Sequence, residues 1–376
     1  MNKSGRRYYM VMALAVSVAV ALMGYGKAEA QWEAEWQKTL EAGKKEGKVV
    51  VYGASFGPAV RDQAPIFKKK FGIDLDVTVG RGSELGQKLR TEKAAGMHLA
   101  DVMIAGGNSV LGYKKIGVTE PLENKLILPE VTNPKLWYTL DTLPWLDDDK
   151  HIFYFFAYPN RDITINTEHV KPGEIQSWQD LLKPGYKGKI AWSDPTIPGS
   201  GFNGFSTNIM NKVLDENFYR KMVATQEIAF SRNLRQLAEW LAKGKYPVSV
   251  SVPGGPLSRF FDAGAPIAYV PVKEGSYLSY DAGLVSIAAQ APHPNAAKVF
   301  LNWLFSREGQ EFSQRATKYM SARNDIPTEG VVNSNSIRVP GEKYFGSANT
   351  SEKWLAEEEK KYLALAKEIF GPFTGR

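Results

Sequence analysis

Short apolar runs alternate with stretches of helical period along most of this chain. Lys48 to Tyr52 (KVVVY) is a continuous apolar run of strand length, the pattern of a strand buried on both faces. Upstream, Trp32, Trp36 and Leu40 recur at helical spacing and predict a helix from Trp32 to Lys45. Downstream come a helix from about Pro58 to Lys70, a strand from Asp74 to Val79, a helix from Ser83 to Ala95 and a short buried strand, Ala100 to Ala105. This βαβαβ order predicts a parallel sheet with helices on both faces. Further on, His151 to Asn166 reads as two strands joined at Pro159-Asn160. The alternation continues with strand 189–193, helices 202–213, 216–223 and 233–243, strands 247–252 and 267–271, and helix 294–306 with a successor through Thr317. Ser351 to Ile369 reads as a charged helix capping the surface. No internal repeat or low-complexity segment breaks the pattern, and the fold class it predicts is α/β.

The first thirty residues stand apart. Lys3, Arg6 and Arg7 precede an apolar run from Met10 to Met23, and Ala28-Glu29-Ala30 carries the small-x-small pattern of a signal-peptidase site. The run is short for a membrane span. The expectation is a signal peptide over residues 1–30, cleaved after Ala30, and a periplasmic location. An uncleaved anchor, or a twin-arginine leader at Arg6-Arg7, is the alternative. Removal leaves 346 of 376 residues, enough for two lobes with a core each. The absence of cysteine excludes a disulfide scaffold, a thiol nucleophile, thiolate metal sites and a lipid-modified N-terminal Cys. Losing Lys3, Arg6, Arg7 and Lys27 against Glu29 takes the net charge from +7 down by 3 to +4. That modest excess suits an anionic ligand. No nucleic acid is expected, because no Arg/Lys tract alternates with aromatics as a strand-binding groove requires.

The stretch Pro172 to Gly204 is the densest in candidate chemistry. It combines a short helix signal at Trp178 to Leu182, a Pro-Gly turn, the strand around Lys189 to Trp192, a Ser-Asp-Pro corner and a Gly/Ser-rich helix entry near Phe202. Such an entry leaves backbone N–H groups without intrahelical partners and aims the positive end of the helix dipole outward, a place to hold an anion. The plainer reading is a capped strand-to-helix connection.

Several blocks together carry a family likeness: Val49-Val50-Val51-Tyr52-Gly53; Gly82-Ser83-Glu84-Leu85 leading to Glu92-Lys93-Ala94-Ala95-Gly96; Ala100-Asp101-Val102; Ser177-Trp178-Gln179-Asp180-Leu181-Leu182 through Lys187-Gly188-Lys189-Ile190-Ala191 to Asp194-Pro195 and Gly199-Ser200-Gly201; and Ala291-Pro292-His293-Pro294-Asn295-Ala296-Ala297, followed by Ser306-Arg307-Glu308-Gly309-Gln310. In order and spacing the chain resembles the periplasmic solute-binding proteins of ABC importers, in the group that includes Fe(III)-binding and organic-anion-binding members. The resemblance implies a two-lobed periplasmic binding protein fold, each lobe a mixed, mainly parallel sheet flanked by helices, with ligand held between the lobes as a hinge closes. It also implies hand-over to an inner-membrane ABC permease, no chemistry on the ligand, no cofactor and a monomer. The strand pattern then assigns residues 31–156 to the first lobe and 157–266 to the second. Residues 267–376 return to the first lobe. The hinge candidates are Phe155–Pro159 and Ile267–Val272, the latter flanked by Pro266 and Pro271.

In this architecture ligands meet the C-terminal ends of strands and the helix N-termini beyond them. The candidates are Ser55 after the first strand, Arg81-Gly82-Ser83 after the second, Asp194, Thr196, Ser200 and Gly201 in the segment above, Ser231-Arg232 before the 233–243 helix, and Gly254-Gly255 after strand 247–252. Tyr277, Tyr280 and Asp281 are placed to frame an apolar or amine end of the ligand. Each also has a structural reading, as turn residue, helix cap, surface arginine or half-buried tyrosine. Arginines favour carboxylate, phosphonate, sulfonate or phosphate ligands, which guanidinium binds bidentately.

Iron is the first alternative cargo. The resemblance associates it with adjacent tyrosines after the strand ending near Val252, where this chain reads Pro253-Gly254-Gly255-Pro256. Its one Tyr-Tyr pair, Tyr8-Tyr9, lies in the leader. Tyr154, Tyr158, Tyr277 and Tyr280 would have to supply a different phenolate set. A second alternative is a serine hydrolase, because Gly53-Ala54-Ser55-Phe56-Gly57 spells G-x-S-x-G after a strand. Against it, no upstream strand-loop supplies an oxyanion hole, and the base would be one of His98, His151, His169 or His293. Gly199 to Gly204 matches G-x-G-x-x-G but is displaced from its strand by Asp194 to Pro198, which breaks the tight turn a dinucleotide site needs. The four histidines lack metal-ligand spacing, so no metal site is expected.

Overall fold

The computed structural model describes residues 31–374 except 55, 140, 281–282, 330–335 and 348–352; the expected leader lies outside the described residues. Helix α1 (31–46) leads into β1 (Lys48–Gly53), α2 (Gly57–Phe71), β2 (Asp74–Val79), α3 (Gly82–Ala94), β3 (Val102–Ala105) and α4 (Gly107–Lys115). Strand β1 pairs in parallel with both β2 and β3, as the apolar runs predict. After β4 (Thr119–Glu120), α5 (Pro129–Thr132) and β5 (Phe153–Tyr154), the chain crosses out of this lobe on β6 (Tyr158–Asn160). Pro159-Asn160 therefore sits inside a crossing strand instead of turning between two strands.

The second lobe is built on β7 (Ile163–Asn166), β8 (Ile190–Ser193), β9 (Ala229–Ser231), β10 (Val248–Val250) and β11 (Ile267–Tyr269), in the order β11-β7-β10-β8-β9. Parallel pairs β10–β8 and β8–β9 stand beside the antiparallel strand β7, giving a mixed sheet. Helices α6 (Ser200–Met210), α7 (Glu216–Thr225), α8 (Leu234–Ala242) and α9 (Gly254–Asp262) complete it. The chain crosses back on β12 (Ser276–Ser279) and adds β13 (Leu284–Ala288) antiparallel to β3 in the first sheet. Helices α10 (Pro294–Phe305) and α11 (Arg307–Thr317) then pack on that lobe.

Two expectations are corrected here. Residues 267–269 do not leave the second lobe: β11 is bonded to β7, and the return crossing falls on β12. The C-terminal stretch does not cap the first lobe's surface either. Strand β14 (Tyr344–Gly346) runs parallel to β12 in a three-stranded hinge sheet, β14-β12-β6. Helix α12 (Glu359–Phe370) then enters the second lobe's core, where Phe370 meets Trp192, Phe205, Tyr219 and Phe230 at ring-centroid distances of 5.4–5.9 Å. The physical reason is the spacing of Ala366, Ile369 and Phe370, a narrow apolar stripe on an otherwise charged helix, which suffices to bury one edge.

Candidate functional site

A cleft of about 430 Å³ opens beside the hinge sheet and takes walls from both lobes. The first lobe contributes Asn108, in the first turn of α4, and Tyr319 beyond α11. The hinge contributes Tyr158 and Asn160 of β6 with Tyr277 and Ser279 of β12. The second lobe contributes Ser200, Phe202 and Asn203 of α6, Gly254 at the start of α9 and Tyr269 of β11. Trp354 and Glu359 come from the C-terminal segment.

Three helices thus begin on this cleft, and their N-caps are Gly106 for α4, Gly199 for α6 and Pro253 for α9. None offers a side-chain acceptor to the first turn. Helices α7, α8 and α11 begin on Asp215, Asn233 and Ser306, whose side chains take up first-turn N–H groups. The entry to α6 follows from its sequence. Asp194 Oδ1 accepts from the Thr196 N–H at 2.8 Å and from Thr196 Oγ1 at 2.6 Å, closing a turn after β8. Gly201 then packs so close to β8 that a Cβ there would collide with the Ser193 carbonyl oxygen.

Asp162 lies behind the cleft, buried where β7 begins. Its carboxylate accepts from Ser251 Oγ at 3.0 Å and lies 3.5 Å from Asn208 Nδ2 of α6, while its carbonyl accepts from the Ser251 N–H at 2.7 Å. Ser251 holds a left-handed backbone (φ 56°) two residues before Pro253. One carboxyl therefore ties together the first strand after the hinge, the turn into α9 and the body of α6. Burial, opposed by the bonds from Ser251 and Asn208, pushes its pKa up to about 7.

The residues singled out from sequence fall into three groups. Ser200, Gly254 and Tyr277 line the cleft, with Gly201 directly behind Ser200. Tyr277 Oη accepts from Asn160 Nδ2 at 2.6 Å. Asp194, Thr196, Ser231 and Arg232 form a cluster of their own outside the lining. Arg232 Nε donates to Asp194 Oδ2 at 2.8 Å, and Ser231 Oγ donates to Gln236 Oε1 at 2.8 Å. Burial pulls the Asp194 pKa upward, but the bonds from Thr196 and Arg232 leave it below the ordinary carboxylate value. Arg232 thus spends its charge on Asp194. Arg81 caps α3 with its side chain 86% exposed, Ser83 is exposed beside it, and Gly82 is pressed against Ser109 of α4, next to Asn108. Gly255 is exposed one residue past the lining. Tyr280 packs on Tyr154 at 4.3 Å with the ring planes tilted 31°, and burial pushes its phenol up to about 12, an environment that opposes phenolate formation. Ser55 and Asp281 lie outside the described residues.

Sequence reading missed Asn108, Tyr319, Trp354, Glu359 and Asp162. Gly106-Gly107-Asn108 after β3 repeats the glycine-rich strand-to-helix pattern used for the other candidates, so Asn108 was within reach. The others depend on contacts distant in sequence.

Residues 63–339 match the bacterial extracellular solute-binding protein family, and the chain belongs to it. The fold is that of the two-lobed periplasmic binding proteins. Ferric iron-binding protein A of Mannheimia haemolytica, in an open conformation, superposes with a TM-score of 0.68 at 15% identity, over 88% of this chain and 100% of that one. AfuA of Actinobacillus pleuropneumoniae, solved with fructose-6-phosphate, gives 0.59 at 20% identity over 86% and 99%. The Trichodesmium protein FutA (IdiA), solved with iron and citrate, gives 0.64 at 18% identity over 86% and 99%. In sequence, a Haemophilus influenzae protein is 27% identical over 217 residues, which spans 54% of this chain and 60% of that relative's length.

Proposed function

We propose that this is the exported solute-binding component of an ABC importer, which closes its lobes on a small organic anion and presents it unchanged to an inner-membrane permease. The observation that carries this reading is the convergence of α4, α6 and α9, from both lobes, on one cleft with Asn108 and Ser200 in their first turns. Oriented N–H groups and helix dipoles hold an anion without an arginine, so Arg81 and Arg232 are not needed for it. No helix among the described residues is long and apolar enough to cross a membrane. N-terminal sequencing of the exported protein is expected to begin at Gln31; a start at Met1 would remove the cleaved leader from this account.

A thermal-shift screen tests the ligand class, with phosphorylated sugars, phosphonates, sulfonates, small carboxylates and ferric citrate as probes. A ligand at 100 times its dissociation constant adds about 2.7 kcal/mol of stability. One organic-anion class is expected to raise the melting midpoint. A shift with ferric iron alone would overturn the reading. By titration calorimetry, Asn108→Ala and Ser200→Ala should each weaken the responding anion about tenfold, as for loss of a hydrogen bond to a charged group. Arg81→Ala and Arg232→Ala should stay within about threefold of the parent, below the roughly 1.4 kcal/mol of a tenfold loss.

A further inference from the structure

The cleft has a second chemical pole. Glu359 is the one formally charged side chain lining it among the described residues, and no lysine or arginine lines it there. Glu359 makes no ion pair among the described residues; the neighbouring Lys353 is bonded to Glu358, and Lys361 sits over the Tyr362 ring, 5.6 Å from its centroid. The same cleft carries several aromatic rings. Trp354 is buried between Phe202 (5.8 Å) and Tyr362 (5.6 Å, nearly parallel), and Tyr158 stacks on Tyr319 at 4.3 Å with planes 5° apart. Tyr269 and Tyr277 complete the wall.

Aromatic faces and a carboxylate in one concave site are the chemistry that recognises an ammonium group. A purely anionic ligand would share the cleft with the half-buried Glu359 carboxylate, with no lining cation among the described residues to offset the repulsion. We infer that the cargo is a zwitterion, with its anionic end at the N-termini of α4, α6 and α9 and an ammonium end at Glu359 and the aromatic wall. Glu359 is then the specificity-determining residue. Amino-bearing phosphonates, sulfonates and carboxylates form the ligand class. The inference rests on the anion reading above.

Isosteric pairs that differ only by the amine separate the two ideas. Ethylphosphonate with 2-aminoethylphosphonate, ethanesulfonate with taurine, and propionate with β-alanine are titrated calorimetrically into the mature protein. In at least one pair the amine-bearing member is expected to bind tenfold tighter or more. Glu359→Gln, a conservative change at the first turn of α12, is expected to erase that preference, the amine-bearing member losing its ammonium partner and the amine-free member gaining from removal of the negative charge beside it. Equal affinities within every pair, or binding of fructose-6-phosphate and of no amine-bearing anion, would overturn the inference while leaving the anion reading intact. Binding of ethanolamine with no anion bound would overturn the anion reading itself. The wild-type pairs decide the matter even if the variant fails to fold.

Discussion

Phe370→Ala is expected to destabilise the protein by about 3–5 kcal/mol, the range for removing a fully buried phenylalanine from a packed core. The ring is wholly buried and anchors α12 among Trp192, Phe205, Tyr219 and Phe230. Its removal opens a cavity at a junction of the β8 strand with α6 and α7, where neighbouring aromatics are too rigid to collapse inward. Urea unfolding followed by tryptophan fluorescence measures the effect, since Trp178 and Trp192 both belong to that core. A loss below about 1 kcal/mol would return α12 to the role its charged sequence suggests, a surface cap whose substitutions are nearly neutral.

Asp162→Asn is expected to stabilise the protein above neutral pH and to flatten its pH profile. The folded pKa of about 7 lies above the ordinary aspartate value of 3.8. Below pH about 4 the carboxyl is protonated in folded and unfolded chains alike and carries no penalty. As pH rises toward 7 the unfolded chain ionises first while the folded one holds its proton, so stability falls through that window and the full cost stands above it. The interval corresponds to on the order of 4 kcal/mol, and an asparagine that keeps its bonds to Ser251 and Asn208 recovers part of it. The groups facing the carboxyl are Ser251 and Asn208, with Tyr219 beyond; the adjacent Arg161 is paired with Glu342 at 2.7 Å. Melting curves from pH 4 to 8 check the sign: the two proteins should converge at the acid end, separate progressively from about pH 4 to 7, and stay apart above it. Parallel curves would show that Asp162 does not titrate in that window.

The same carboxyl shows where sequence reading ends. Arg161-Asp162 reads as an ordinary charged pair between two strands, and nothing local says that the second residue is buried. Burial comes from α6 and the Ser251 turn, 46 and 89 positions away, closing over it. Arg232 is the converse case. Its place before a helix made it look like an anion clamp, but the ion pair with Asp194 crosses 38 positions between two neighbouring strand ends.

Local features were legible because local physics sets them. The apolar runs became β1, β3 and β8, and the glycine-rich entry near Phe202 became the start of α6, since strand burial and close backbone approach select their residues at the spot, whereas α9 after Gly254-Gly255 was not foreseen. Chain return to the second lobe on β14, the burial of α12 and the placing of Trp354 and Glu359 on the same cleft as Tyr158, Ser200 and Gly254 were decided by tertiary structure alone. Those outcomes depend on which of several half-apolar surfaces pack together across long stretches of chain, and hydrophobic burial rewards the area covered without encoding in either partner which surface will cover it.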